Sequence, residues 1–495
     1  MNQINRRTFL KLSSAGIASL VFPFNIRCNR IYEENLPNII FIMADDMGYG
    51  DVGCYNPESK IPTPNMNRIA KEGVRFTDAH TPSAVCTPTR YGVLTGRYCW
   101  RTWLKSGVFG GYNQPLIEPE RLTVASLLKK HGYETACIGK WHLGLKWATK
   151  GGKQPEPTEP YDQMNIDFTK PIKSGPNALG FDYFFGTAGC TTDDPPLCFI
   201  ENDHTVGIPN MISPIDTANE GRTLLMVPGW KHEEADTTFT KKAIKFIENH
   251  VKRQPDKPFF LYFPTSAPHR PWFAPDFVKG KSKAGPRGDQ VVLFDWIVGQ
   301  IDQTLKRLNL KENTLLIITS DNGPREGVNG HKSTGNWRGF KGGIWEGGHR
   351  VPFIARWPGK IRPGSISNET ICLTDLMATC AAIIGEKLPD NAGEDSYNIL
   401  PALMGEKLNH PIREAIVHHS GAGVFAIRQG PWKLIIGTKG AGYDKGPQSD
   451  SIVQLYNLKD DPAERHDLWD KHPEIVKRLK KLLEKYQREG HSRHL

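Results

Sequence analysis

The sequence predicts an α/β protein: a large mixed, mostly parallel sheet flanked by helices, with a smaller C-terminal antiparallel sheet plus helix. Three observations predict it. Continuous apolar runs rich in β-formers recur along the chain and stop abruptly at ionisable residues. Segments with helical apolar spacing lie between them. Beyond about residue 400 the pattern changes to short β-like runs that precede a basic helix.

Residues 1–30 stand apart. Asn5-Arg6-Arg7-Thr8-Phe9-Leu10-Lys11 is similar to a twin-arginine export signal, and a weakly apolar stretch follows from Leu12 to Phe24. That stretch is shorter than the ~20 residues a helix needs to span a bilayer, so it reads as a signal segment rather than an anchor. A catalytic domain is expected over 34–400 and an α+β subdomain over 401–495.

The first strand is residues 37–44, an unbroken apolar run that ends in Asp45-Asp46. Residues 314–320 form a matching run that ends in Asp321-Asn322-Gly323. Shorter runs at 135–139 and 259–263 lead to Lys140-Trp141-His142 and Pro268-His269. Ligands in open α/β sheets sit beyond the carboxyl ends of the strands, so four strands ending in polar, metal-binding side chains define one candidate site. Thr63-Pro64 opens a helix through Lys71, with Thr63 as the cap and Gly73 as the stop. Helical spacing recurs at 122–131 and 289–308. Residues 146–177, rich in Pro, Gly and Lys, read as a long surface loop edging a cleft. β-like runs at 415–419, 424–428 and 432–436 then lead to a helix over 474–488, with Ile475, Leu479, Leu482 and Leu483 at helical spacing.

The chain has 495 residues and a formal net charge of +10. Residues 1–30 hold five bases and no acid, and 471–495 hold eight Lys or Arg against three Glu, so the body between them is near neutral. That distribution argues against a nucleic-acid binder. Nine cysteines at irregular spacing, with no Cys-x-x-Cys pair, do not form a disulfide framework, though one or two bridges are compatible with an exported protein.

The segment Cys86-Thr87-Pro88-Thr89-Arg90, followed by Leu94-Thr95-Gly96-Arg97, resembles the signature of type I, formylglycine-dependent sulfatases of the alkaline phosphatase superfamily. Ala44-Asp45-Asp46, Gly139-Lys140-Trp141-His142, Pro268-His269, Ser320-Asp321-Asn322-Gly323, Arg338-Gly339-Phe340-Lys341 and Glu346-Gly347-Gly348 add to the resemblance, which spans roughly residues 37–360. Leu455-Tyr456-Asn457-Leu458 and Asp461-Pro462 match the family's C-terminal domain.

The resemblance implies that Cys86 is oxidised to formylglycine, whose hydrated aldehyde offers a hydroxyl to attack sulfur, forming a sulfo-enzyme, and a second hydroxyl to expel sulfate. Asp45, Asp46, Asp321 and Asn322 supply hard oxygen ligands that suit calcium, or magnesium, better than zinc, with residue 86 against the same cation. By the same analogy Arg90 holds the formylglycine hydroxyl and Lys140 and Lys341 contact sulfate oxygens. His142 deprotonates the remaining hydroxyl, and His269 protonates the leaving alcohol. Asp193, Asp194, His331, Asn336, Trp337 and Arg338 are candidate contacts for a sugar, and Trp103, Trp147 and Trp345 offer flat apolar surfaces. Trp337 stands where many relatives have leucine.

The expected substrate is a sulfated carbohydrate of galactose or N-acetylgalactosamine type. The expected partners are a formylglycine-generating or radical maturation enzyme and the twin-arginine export machinery, with a periplasmic or secreted destination and no stable membrane insertion. Two rivals remain at this point: a phosphate or phosphonate ester hydrolase of the same superfamily, and a carbohydrate-binding pseudoenzyme. The additional His and Asp residues of a two-zinc phosphatase are not evident, and a pseudoenzyme has no need of all the polar positions above.

Overall fold

The computed structural model describes residues 36–151, 163–214, 224–437 and 453–494. Residues from Pro37 onward form one compact unit. The export-signal reading of residues 1–30 lies outside the described residues, and no described helix is long and apolar enough to cross a membrane.

The expected sheet is present. Its strands, numbered in chain order, are β1 (Asn38–Ala44), β2 (Val74–Phe76), β3 (Glu134–Lys140), β4 (Tyr183–Thr187), β5 (Ile200–Glu201), β6 (His204–Thr205), β7 (Phe259–Pro264), β8 (Thr314–Ser320), β9 (Phe353–Arg356) and β10 (Ser365–Ser367). Among the described residues they form a ten-stranded sheet in the order β10-β2-β9-β8-β1-β7-β3-β4-β5-β6. The centre, β8-β1-β7-β3-β4, is parallel throughout, while β9 runs antiparallel to β8, and β5 and β6 continue antiparallel at the other edge. Every residue of β1, β7 and β8 is buried, which is why these runs are continuously apolar rather than alternating.

Strand alternation sends Ile40 and Ile42 to one face. There they join Ile69 of α1 (Pro64–Glu72), Phe239 and Ile247 of α4 (Ala235–Arg253), and Ile297 and Val298 of α5 (Gly285–Arg307) in one buried cluster. Each such side chain contributes about 1.5–3 kcal/mol on burial. On the other face Phe41 stacks on Tyr262 with ring centroids 6.2 Å apart. The remaining helices relevant to the site are α2 (Cys86–Thr95), α3 (Val124–Lys130) and the single turn α6 (Glu346–His349).

Several sequence expectations need correction. Thr63 sits at the N-cap of α1, but its side chain makes no cap bond there and instead accepts from Gly53 N at 2.9 Å. The orphan amides at the start of α1 are satisfied from another helix: the Asp295 carboxylate accepts from Asn65 N at 3.1 Å and Met66 N at 2.8 Å. Helix α4 has no counterpart in the sequence reading. The segment 146–177 is not simply surface, since Trp147, Ile166, Phe168 and Ile172 are buried. The eight described cysteines are all free thiols.

The C-terminal part is the expected antiparallel sheet, with strands β11 (Ile416–His419), β12 (Phe425–Gln429), β13 (Trp432–Ile436) and a fourth, β14 (Val453–Asn457). Helix α8 (Pro473–Glu489, with α7 being Leu376–Ile383) lays Ile475, Leu479 and Leu483 onto Leu434 and Leu455 of that sheet. The apolar stripe of the basic helix is therefore consumed in packing, and its charged face meets solvent.

Candidate active site

Parallel pairing of β1 with β8 aligns Ala44 with Ser320, so the next residues of both strands emerge side by side. Asp321 N donates to Ala44 O at 3.0 Å, and Asp46 N donates to the Asp321 carboxylate at 3.2 Å. Asp46 has φ of 72°, a left-handed conformation that Asp tolerates better than most side chains and that turns its carboxylate back over the strand end. Gly323 is required by a close backbone approach: a Cβ there would lie 1.9 Å from Gly347 O, so the Asn-Gly and Glu-Gly-Gly motifs pack against each other.

Cys86 is the first residue of α2, a helix buried along its whole length. Pro88 falls in the first turn, where a missing N–H costs no helical bond. The Cys86 thiol lies 3.4 Å from Asp45 Oδ1. Burial, with Asp321 and Asp45 beside it, pushes this thiol well above its ordinary pKa, so the unmodified side chain is a neutral and poor nucleophile.

Arg90, one turn along α2 and fully buried, donates from Nε and Nη2 to Asp321 Oδ2 at 3.1 and 2.8 Å and from Nη1 to Lys140 O at 2.9 Å. Lys140 ends β3 and reaches Asp45 Oδ2 at 2.5 Å. Lys341 reaches Asp46 Oδ1 at 2.6 Å, and Asn322 Nδ2 donates to the same oxygen at 2.7 Å. Burial opposes ionisation of Asp45, but Lys140, His269, Arg90 and Lys341 outweigh it and hold this carboxyl well below its usual range. Asp46 is likewise held low, Lys341 and His269 overcoming its burial. Asp321 goes the other way: burial and the neighbouring Asp45 raise it to about 6 despite Arg90.

The donor set fits a hard divalent cation. Asp46 Oδ2 and Asn322 Oδ1 are buried without a hydrogen-bond partner, and a buried oxygen left unpaired costs about 1–3 kcal/mol. Asp45, Asp46, Cys86 and His269 present ligand atoms within 4.8 Å of one another. Carboxylate and amide oxygens in this concentration favour calcium or magnesium over zinc.

Two histidines face this cluster with defined tautomers. His142, at φ 58°, has Nε2 2.5 Å from Phe109 O, so Nε2–H donates there and the buried Nδ1 keeps its lone pair without a partner. Burial and Lys140 push its pKa down to about 3, so the ring is neutral. His269 follows Ala267-Pro268 and directs Nδ1 to Arg270 O at 2.5 Å, leaving Nε2 3.9 Å from Asp46 Oδ2. Burial and Lys341 lower its pKa as well.

The remaining sequence candidates divide. Asp193 and Asp194 come to the site on the loop after β4: Asp193 Oδ1 is 3.8 Å from His269 Nδ1, and Asp194 Oδ2 is 3.4 Å from His142 Nε2. The same loop delivers Cys190, whose thiol sulfur accepts from Lys140 Nζ at 2.8 Å and lies 3.7 Å from His269 Nε2. Nothing local in the sequence distinguishes Cys190 from the other buried cysteines. His331 is buried against Asp51 at 2.9 Å, a carboxylate also held by Arg287, so it braces the loop rather than facing a cleft. Arg338 lies over the Trp345 ring at 4.0 Å, and Trp337 is covered on one side by Arg350 at 3.9 Å. Trp147 and Trp345 are each 1% exposed and present no face to a ligand, whereas Trp103 is 37% exposed.

Comparisons with known proteins give the family. The family model described as Sulfatase matches residues 37–386, and that of the C-terminal region of N-sulphoglucosamine sulphohydrolase matches 335–489. An N-acetylgalactosamine-6-O-sulfatase of Bacteroides thetaiotaomicron is 35% identical, covering 90% of this chain and 92% of that protein. Human arylsulfatase A is 32% identical, covering 90% of this chain and 87% of its own length. A solved structure from work on glycosaminoglycan metabolism by Bacteroides thetaiotaomicron superposes with a TM-score of 0.79 at 34% identity, covering 92% of this chain and 99% of that one. By the extent of these matches the chain belongs to the sulfatase family and is a sulfuric ester hydrolase.

Proposed function

We propose that the enzyme removes a sulfate ester from a sulfated carbohydrate, with the 6-O-sulfate of N-acetylgalactosamine as the first substrate to test. The buried convergence of Cys86 with Arg90, Lys140 and Lys341 on the Asp45, Asp46 and Asp321 carboxylates carries this reading of the site. The name of the 35%-identical relative supports the choice of sugar. Residue 86 acts as formylglycine, which supplies a geminal diol as the oxygen nucleophile that a neutral buried thiol cannot supply. Asp45, Asp46, Asp321 and Asn322 hold a calcium ion, magnesium being the alternative, which supplies charge neutralisation for the sulfuryl oxygens.

The chain's own residues do the rest. Lys140 and Lys341 place fixed positive charge where negative charge develops, and Arg90 orients residue 86. His142, neutral and with a bare Nδ1, accepts a proton from the hydroxyl of residue 86. His269 donates to the leaving alcohol from Nε2 when the ring carries both protons, with Nδ1–H still held by Arg270 O. Asp193 and Asp194 contact the sugar. The catalytic domain occupies 34–400 and the C-terminal α+β subdomain 401–495. A maturation enzyme modifies Cys86, and Arg6-Arg7 directs export by the twin-arginine route to the periplasm or beyond.

The test is sulfate release from matched 6-sulfated and 4-sulfated N-acetylgalactosamine and galactose, using protein whose formylglycine content is verified by peptide mass. Release from one positional isomer, abolished by Cys86→Ala, is the expected result. Phosphate release from a phosphate monoester without sulfate release from any sugar would overturn it.

A further inference from the structure

The loop that carries Lys341 builds a second concave surface before it reaches the active site. A groove of about 810 Å³ lies between residues 332–338 and 462–465, lined by Lys332, Asn336, Trp337, Arg338, Pro462 and Arg465 among others. No carboxylate side chain lines it, while three cations do. Lys332 and Arg465 are exposed, and neither makes an ion pair among the described residues.

The groove is anchored to the rim of the catalytic sheet. Gly50 N donates to Ser333 O at 2.8 Å, and a Cβ at Gly50 would lie 2.2 Å from Lys332 O, so the groove loop is pressed onto the turn that follows Asp45 and Asp46. The Trp337 ring stands 6.1 Å from the Tyr49 ring of that turn. On the opposite wall, Arg338 donates to Glu464 O at 2.6 Å, tying the loop to the C-terminal region. The result is a preformed cationic trough with an indole in it, on the side where β1 and β8 deliver their ligands. Guanidinium and ammonium groups beside an aromatic ring suit a sugar unit bearing sulfate or carboxylate.

We infer that this groove binds a second, negatively charged sugar unit of the substrate chain, so that the enzyme favours sulfated or uronate-bearing oligosaccharides over a single sulfated sugar. This rests on the carbohydrate reading of the active site. The test compares kcat/KM on 6-sulfated N-acetylgalactosamine with that on a tetrasaccharide from chondroitin 6-sulfate, for wild type, Lys332→Ala/Arg465→Ala and Arg465→Glu. In parallel, calorimetry follows binding of the same tetrasaccharide at low and high salt.

The tetrasaccharide-to-monosaccharide ratio is expected to fall about tenfold in the double variant and further in Arg465→Glu, and tetrasaccharide affinity to fall in step and with a weaker salt dependence. Unchanged ratios, with both sugars still cleaved, overturn the groove and leave the sulfatase reading intact. If neither sugar is cleaved, the active-site substrate is wrong. The groove then stands if the variants bind the tetrasaccharide about tenfold more weakly than wild type, and falls if they bind it equally. Equal affinity for a DNA oligonucleotide of matched charge overturns the assignment to sugar.

Discussion

Replacing Arg90 with Met tests whether the site is held by charge or by shape. The guanidinium is fully buried and makes three charge-assisted bonds, two to Asp321 and one to Lys140 O. Methionine keeps much of the volume and removes every donor. Asp321 is then left beside Asp45 with its nearest cation gone, and breaking one side of a buried ion pair costs about 3–5 kcal/mol. The assay is urea unfolding in chelator, so that cation binding does not mask the loss, followed by kcat on the loaded enzyme. The expected outcomes are destabilisation in that range and a fall in kcat of about 10²–10³-fold, the scale for losing one preorganised donor group. Arg90→Met combined with Asp321→Asn removes both charges, so its cost in chelator falls below the sum of the single costs by at least about 1 kcal/mol. Strict additivity, or an Arg90→Met cost under about 1 kcal/mol, refutes the argument that Arg90 is the counter-charge on which Asp321 depends.

Three further outcomes follow from the same geometry. Prolonged chelation abolishes activity, calcium or magnesium restores it and zinc does not; calcium at a hundred times its Kd raises stability by about 2.7 kcal/mol in thermal unfolding. Asp295→Ala uncaps α1 at a distance and costs about 1–3 kcal/mol with kcat unchanged, since its partners are the Asn65 and Met66 amides and the Asn65 side chain. The third concerns pH. His80, His349 and His418 stack in one buried group, and burial is the largest cause lowering all three pKa values, reinforced at His349 and His418 by a neighbouring histidine and Lys433 and opposed at His80 by Glu346 and Asp78. Each is neutral when folded but takes up a proton near pH 6.5 when unfolded, so its stabilisation is fully present above that pH and is lost as the pH falls, by up to about 1.4 kcal/mol per unit. Glu464, raised to about 7 by burial, works in the opposite direction over the same window. The readout is therefore the difference between wild type and His418→Asn from pH 7.5 to 5, measured in urea: the gap between them must narrow as the pH falls, and a constant gap removes His418 from the account.

Much of this protein is legible from sequence because the relevant signals are local. A strand buried on both faces must be apolar along its whole length, so residues 38–44 and 314–320 announced themselves, and a sheet with parallel neighbours brings their following residues together. The Cys86 segment is equally local, since Cys86, Pro88 and Arg90 lie within about one turn of a single helix. Helix α4 was missed although Phe239, Ala243, Phe246 and Ile247 are buried at helical spacing, because Lys, Thr and His crowd the same stretch and dilute its periodicity.

What only the tertiary structure decided is the fate of side chains that a loop can present either to solvent or to a neighbour. His331, Trp147 and Trp345 read as candidate sugar contacts, yet packing turns each inward against Asp51, Gly111 O and Arg338. Cys190 carried no local mark, yet the loop after β4 brings its sulfur to Lys140 and His269. The physical reason is one of range. Secondary structure and strand ends are set by the chemistry of adjacent residues, whereas a side chain's partner across 50 or 280 positions, as for Lys140 with Cys190 or Asp51 with His331, exists only once the sheet has closed the distance.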